Sequence, residues 1–367
     1  MWRTKSIVSR AFVLVLYLLL PLAIAAPSLA QDSGGLPLVL VLSTGGTIAG
    51  EGSTSTDLSN YKAGARLGQD LVNAVPQIKE VANVRVEQIV NVRSPDISLA
   101  NWITLANRIN QVLATDQNVA GIVITHGTNT IEETAYFLNL TVKSDRPVVL
   151  VGAMRPATAI SADGPLNLLN AVRVASSPAA RGKGVLIVMN DEINAARDGT
   201  KTSTFRVETL RAPELGFLGY VDEDQVSFYR TPTRRHTINS EFDISSIRQL
   251  PDVEILYSYV EPNTAVIQAL VASGVRGIVF AGTGAGGISR FETEALAPVI
   301  SSPIETRPVL VRSSRVGNGR VIRRDEYDRI GMIPADSLNP QKARILLMLA
   351  LTKTRDLDDI KRMFAEY

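Results

Sequence analysis

The sequence predicts an α/β protein built on parallel sheet, and three observations carry that expectation. Short apolar runs recur along the chain, segments of helix length lie between them, and two of the runs end in loops of glycine and threonine. Strands covered on both faces read as continuous Val, Ile and Leu, and the return from one parallel strand to the next needs a connection of helix length.

In chain order the strand runs are 36–42, 121–125, 148–151 and 185–189, then 253–257, 277–280 and 309–311. Helices are expected over 99–114, 130–139 and 164–175, each opening near Asp, Ser, Asn, Thr or Gly, residues that suit a helix start. The stretch 236–251 is rich in turn formers and charge and lacks periodicity, so it reads as a linker between a larger domain, 34–235, and a smaller one, 252–367. The chain shows no internal repeat and no low-complexity tract.

Ahead of these elements, Arg3, Lys5 and Arg10 precede an apolar run over 11–26 that ends in Ser28-Leu29-Ala30. A basic start, a short apolar core and small residues before a polar chain form a secretory signal peptide, expected over 1–30 with cleavage after Ala30. The run is shorter than the ~20 residues a spanning helix needs, so no membrane attachment is expected after cleavage. Cleavage removes three cations and no acid, turning 38 basic and 36 acidic residues into 35 and 36.

A near-neutral chain without a long basic tract has no electrostatic footprint for nucleic acid. The absence of cysteine excludes thiolate metal sites, and two histidines, His126 and His236, are too few for a histidine-rich one. Catalysis is left to hydroxyls, amines and carboxylates.

The first strand runs into Ser43-Thr44-Gly45-Gly46-Thr47-Ile48-Ala49-Gly50. Loops at the carboxyl ends of parallel strands form ligand sites, and glycines there bring backbone N–H groups close to a ligand. A dinucleotide turn after the first strand would need G-x-G-x-x-G and a phosphate loop Gly-Lys-Ser or Gly-Lys-Thr; neither occurs in this loop. The second strand ends alike, in Thr125-His126-Gly127-Thr128-Asn129-Thr130, and a third is followed by Gly152-Ala153-Met154-Arg155-Pro156.

Together these loops resemble those of the type II bacterial L-asparaginases and glutaminase-asparaginases. The resemblance extends through Ser161-Ala162-Asp163-Gly164-Pro165, Val188-Met189-Asn190-Asp191, Arg197-Asp198-Gly199-Thr200-Lys201, Arg312-Ser313-Ser314-Arg315 and Leu338-Asn339-Pro340-Gln341-Lys342-Ala343-Arg344. It implies a larger flavodoxin-like N-terminal domain, a smaller C-terminal α/β domain, and a homotetramer with active sites at an intimate dimer interface. It also implies a small-molecule amide substrate, no metal or organic cofactor, and a periplasmic or secreted location.

By the same resemblance Thr47 is the nucleophile, assisted by Tyr61 on a lid over 51–64, while Thr128 and Lys201 form a second hydroxyl–amine pair. N–H groups near Gly46 and Thr128 are expected to hold the oxyanion, Ala153 to accept the substrate amide through its carbonyl, and Ser94 and Asn129 to bind the substrate's α-groups. Glu326 of the partner subunit, in preference to Asp325, completes the expected set. His126 is expected to be structural and His236 to lie on the surface.

Three positions depart from the family pattern around the substrate ammonium. Asn129 stands for Asp, Pro95 for Gln or Glu, and Ala285 for Asn or Ser. Losing a charged partner costs more than losing a neutral one, so asparagine affinity is expected to weaken while the Thr–Lys chemistry stays intact. Ala153, where some glutaminase-asparaginases carry Ser, favours asparagine over glutamine. The alternatives are glutamine hydrolysis, hydrolysis of a β-amide acid lacking the α-amino group such as succinamate, and a silent binding protein for small acids; the last is at odds with retention of all four reacting side chains.

Overall fold

The computed structural model describes residues 1–2 and 35–367, and the expected signal segment lies largely outside the described residues. Strand β1 (Leu38–Gly45) is buried along nearly its whole length. It leads into a small ribbon of β2 (Glu51–Gly52) and β3 (Tyr61–Lys62). The chain then returns as β4 (Asn83–Val92), parallel to β1 on one side, while β5 (Val119–Thr125) lies parallel on the other. Strands β6 (Val148–Val151) and β7 (Val185–Met189) extend the parallel run outward.

Beyond β7 the sheet changes direction. Strand β8 (Glu192–Ala195) pairs antiparallel with β7, β9 (Thr200–Lys201) and β10 (Leu210–Arg211) form a separate ribbon, and β11 (Gly219–Val221) with β12 (Val226–Phe228) completes the eight-stranded order β12-β11-β8-β7-β6-β5-β1-β4. The five parallel strands alone run second, first, third, fourth, fifth, the flavodoxin-like order. The smaller C-terminal sheet is wholly parallel: β13 (Val253–Tyr257), β14 (Gly277–Gly282), β15 (Val309–Ser314) and β16 (Ile333–Pro334).

Helices Leu99–Thr115, Ile131–Thr141 and Gly164–Ser176 bury their apolar sides on the large sheet. Ser98 caps the first by accepting from the Asn101 N–H, and Asn339 caps helix Pro340–Ala350 by accepting from that of Lys342. One apolar core joins residues of both sheets, from Leu40 and Ile124 to Val279, Leu346 and Tyr367, so Leu36–Tyr367 forms one compact unit.

The connecting stretch 236–251 contributes Phe242, Ile244 and Leu250 to that core. His236, expected at the surface, is buried instead; Gly184 leaves room for its ring, which a Cβ there would approach to 3.2 Å. Burial lowers the pKa of His236.

Candidate active site

In the parallel order the connections depart in opposite directions from β1 and β5. A crevice outside the carboxyl ends of such a pair is where open α/β sheets bind ligands. The loops after β1 and β5 meet there backbone to backbone. A Cβ on Gly46 would lie 2.3 Å from the Gly127 nitrogen and 2.4 Å from its Cα, and Gly46 has a φ of 84°. Both observations demand glycine. Thr47 and Thr128 are the next residues of the two loops.

Thr47 Oγ1 lies 2.7 Å from the hydroxyl of Tyr61. The Tyr61 ring passes against Gly50, whose missing side chain would sit 2.8 Å from the ring carbon Cδ2. The short antiparallel pairing of Gly52 with Tyr61 holds the lid in this position.

On the second loop the Lys201 ammonium donates to Thr128 Oγ1 at 2.8 Å and to Asn129 Oδ1 at 2.7 Å. Lys201 is half-buried, and burial lowers its pKa. Thr128 itself is buried. The loop is anchored from beneath by a directed chain: Trp102 Nε1 donates to Thr134 Oγ1, that hydroxyl donates to His126 Nε2, and His126 Nδ1 donates to the Gly127 carbonyl. The carbonyl only accepts, which fixes the tautomer. Burial pushes the His126 pKa down to about 4, so the ring is neutral at physiological pH.

Ser94 stands at the end of β4, buried, and a Cβ on Gly127 would come 2.8 Å from its hydroxyl. Thr130 donates to the Ser94 carbonyl at 2.8 Å, tying β4 to the second loop. Ala153 is buried on the third loop, where the Asp163 carboxylate accepts from the N–H groups of Met154 and Arg155. Asn129 is exposed at the rim, Pro95 lies in the turn Ser94–Asp96, and Ala285 is exposed between Gly284 and Gly286.

The Gly46 N–H is already engaged, donating to the Val92 carbonyl at 3.0 Å. The N–H groups of Thr47 and Thr128 have no hydrogen-bond partner among the described residues. Glu326 is not brought to the other groups within one chain; it stands exposed on the short helix Asp325–Asp328, 3.7 Å from Arg324.

Other residues around the site escaped the sequence reading. Asp163 orders the third loop, and Glu132, the second residue of helix Ile131–Thr141, accepts from the Lys201 N–H at 3.2 Å. The pattern Glu132-Glu133 at a helix start was visible, but acidic residues are common there because they complement the helix dipole. Among the described residues no group of three or more His, Asp or Glu side chains is arranged to hold a metal ion.

Two family models match this chain, the N-terminal asparaginase domain over 38–234 and the glutaminase/asparaginase C-terminal domain over 252–364. The chain belongs to the asparaginase family. It is 49% identical over 338 residues to L-asparaginase 2 of Bacillus subtilis, covering 92% of this chain and 88% of that protein. It is 46% identical to the glutaminase-asparaginase of Pseudomonas fluorescens, over 96% of this chain and 97% of that protein. It also resembles the solved structure of a probable cytoplasmic L-asparaginase from Campylobacter jejuni, with a TM-score of 0.87 at 45% identity, covering 90% of this chain and all of that one. A probable periplasmic L-asparaginase of Haemophilus influenzae is 47% identical over 92% of this chain and 95% of that protein. Relatives named for both compartments therefore lie at similar distance from this asparaginase-family chain.

Proposed function

We propose that this chain hydrolyses the side-chain amide of L-asparagine to L-aspartate and ammonia, with Thr47 as nucleophile. The observation that carries the reading is the convergence of two hydroxyl pairs, Thr47 with Tyr61 and Thr128 with Lys201, on loops whose backbones touch at Gly46 and Gly127.

Thr47 Oγ1 attacks the amide carbon to form a tetrahedral intermediate, while its proton passes to the Tyr61 oxygen and the Tyr61 hydroxyl proton moves on to the amide nitrogen. The N–H groups of Thr47 and Thr128 face the oxyanion, stabilising charge that develops only in that intermediate. Collapse breaks the C–N bond and releases the nitrogen, protonated by way of Tyr61, as ammonia, leaving aspartate esterified to Thr47. A water molecule then attacks the ester carbon. Lys201, as the neutral amine that burial favours, draws a proton through Thr128, and the carboxylate leaves with the Thr47 hydroxyl restored.

Ser94 serves the substrate's α-carboxylate, the Ala153 carbonyl the departing NH2, and Asn129 the α-ammonium. Glu326 reaches the site from the partner subunit of a homotetramer, and the signal segment directs the chain to the periplasm or outside the cell. No cofactor takes part.

Ammonia release from L-asparagine by the purified protein, beside Thr47→Ala, tests the reading. Turnover that survives in Thr47→Ala refutes it.

A second reading is favoured by one contact. Asn129 gives its only acceptor, Oδ1, to Lys201 and brings no negative charge to the rim, so the site discriminates weakly for an α-ammonium. Amide acids without that group, such as succinamate, are then substrates beside asparagine. Ammonia release from L-asparagine, L-glutamine and succinamate at equal concentration ranks the three.

A further inference from the structure

Lys201 stands on a weakly supported element. Strand β9 is two residues long, and its ladder consists of Lys201 opposite Leu210 and Thr200 opposite Arg211. An ammonium that must meet Thr128 at hydrogen-bond distance cannot be placed by such a ribbon alone, because a misplacement of about 1 Å costs ~100-fold in rate. The support comes from a buried carboxylate on one side and a buried ammonium on the other.

Glu132 is 5% exposed. Its Oε1 accepts from Thr200 Oγ1 at 2.9 Å and from the Lys201 N–H at 3.2 Å. Its Oε2 accepts from Asn339 Nδ2 at 2.9 Å and Gln341 Nε2 at 3.3 Å, with Lys342 Nζ at 3.8 Å. Lys342, 2% exposed, donates to the carbonyls of Arg197 and Gly199 at 2.9 and 2.6 Å, gripping the chain just before β9. Every neighbour of Glu132 in this set is a donor, and an ionised carboxylate is the side chain of that length that only accepts. The Asn339 amide cannot turn round to help, since its Oδ1 caps helix Pro340–Ala350 through the Lys342 N–H at 3.1 Å.

We propose that Glu132 is a positioning residue for Lys201: set between β9 and the start of helix Pro340–Ala350, it fixes the backbone from which the ammonium reaches Thr128. The C-terminal segment Asn339–Lys342 thereby takes part in the reaction without touching substrate. This rests on the reading of Lys201 as the proton acceptor behind Thr128. Glu132 acts through placement, because its contact is with the Lys201 backbone and the ammonium is turned to Thr128 and Asn129.

The test is a double-mutant cycle on L-asparagine in the full-length protein, with Lys201→Met alongside. Glu132→Gln keeps the shape and presents an NH2 to a neighbouring donor. We expect kcat to fall at least about tenfold with KM changed less than about threefold. Adding Asn339→Asp supplies an acceptor opposite that NH2 while keeping the helix cap, and the double variant should recover to within about threefold of the parent kcat. A merely structural loss would not be rescued in kcat by an exchange 207 positions away in sequence. Parent-like kcat in Glu132→Gln, or losses that simply multiply in the double variant, would overturn the proposal. If Glu132→Gln does not fold, Thr200→Val removes one donor from Oε1 and should lower kcat about threefold; an unchanged kcat there counts equally against it. Near-parent turnover in Lys201→Met strikes the base assignment itself, whereas an inactive Lys201→Met beside a fully active Glu132→Gln strikes only Glu132.

Discussion

Lys201 and Asn129 are joined through a 2.7 Å hydrogen bond from the ammonium to a neutral amide oxygen, and the same ammonium reaches Thr128 at 2.8 Å. Asn129→Asp would place a carboxylate in that contact. An adjacent anion favours the charged form and raises the Lys201 pKa, so the neutral amine would appear only at higher pH. We expect the acid-side limb of the kcat profile to move to higher pH and kcat at pH 7 to fall a few-fold. The kcat/KM ratio of L-asparagine to succinamate should rise about tenfold, since a charged partner for the ammonium contributes on the order of 1.5–3 kcal/mol. An unchanged or lower ratio would show that Asn129 does not govern recognition of the α-amino group.

Removal of the Thr47 hydroxyl takes away the attacking atom and little packing volume. Thr47→Ala should lose at least about a thousandfold in kcat with its Tm within a few degrees of the parent. Tyr61→Phe keeps the ring against Gly50 and loses only the proton acceptor, so a fall of about 10²-fold or more in kcat is expected. Steady-state ammonia release measures both, and a Tyr61→Phe variant within threefold of the parent would remove Tyr61 from the mechanism.

Gly46→Ala would push a methyl group into the Gly127 backbone from a left-handed conformation. Strain and overpacking each cost about 1–3 kcal/mol, and backbone on both sides leaves little room for relief. Denaturant unfolding should show a loss of about 2–4 kcal/mol, accompanied by a large fall in kcat. Stability within 0.5 kcal/mol of the parent, on the order of an ordinary surface substitution, would mean that the loops do not touch in solution.

His126 gives a pH dependence with a definite sign. Its folded-state pKa of about 4 lies below the ordinary 6.5, so the neutral ring stabilises the fold above pH 6.5. That stabilisation is lost as pH falls from 6.5 toward 4, because the unfolded chain takes up the proton first, and it amounts to at most about 3 kcal/mol. Urea unfolding at pH 7 and pH 4.5 should show a smaller pH effect in His126→Gln than in the parent. Equal slopes in the two proteins would assign the acid sensitivity to other groups.

Dialysis against a chelator is expected to leave ammonia release unchanged, because hydroxyl and amine groups account for every proton transfer in the proposed steps. Loss of activity restored by a divalent cation would overturn this.

Six of the seven strands visible in the sequence are buried on both faces or nearly so, where hydrophobicity alone decides the residue, and the seventh, β13, is an edge strand exposed at three of its five residues that still reads as Ile255, Leu256 and Tyr257. Strand β4 was passed over because it is an edge strand, partly exposed along its length, with Arg85, Glu87 and Gln88 among its residues. The antiparallel β11 and β12 are three residues each, too short for a periodic signal. Thr47, Thr128 and Lys201 lay in loops whose chemistry was visible, but nothing local to Glu132 reveals that its partners are Asn339 and Gln341, 207 and 209 positions away. His236 was misplaced for a similar reason: the space it fills is made by Gly184, on a distant segment.

The contact between Gly46 and Gly127 also bears on how this enzyme can be altered by selection or design. Two loops that meet through bare backbone have no side chain between them to exchange, so the middle of the site offers a mutagenesis library almost nothing to vary. Diversity is confined to the perimeter, at Asn129, at Pro95 beside Ser94, and in the segment 51–64, and two of the three departures from the family pattern fall there. A search for variants with a new amide preference would do well to randomise that ring and leave both glycines alone.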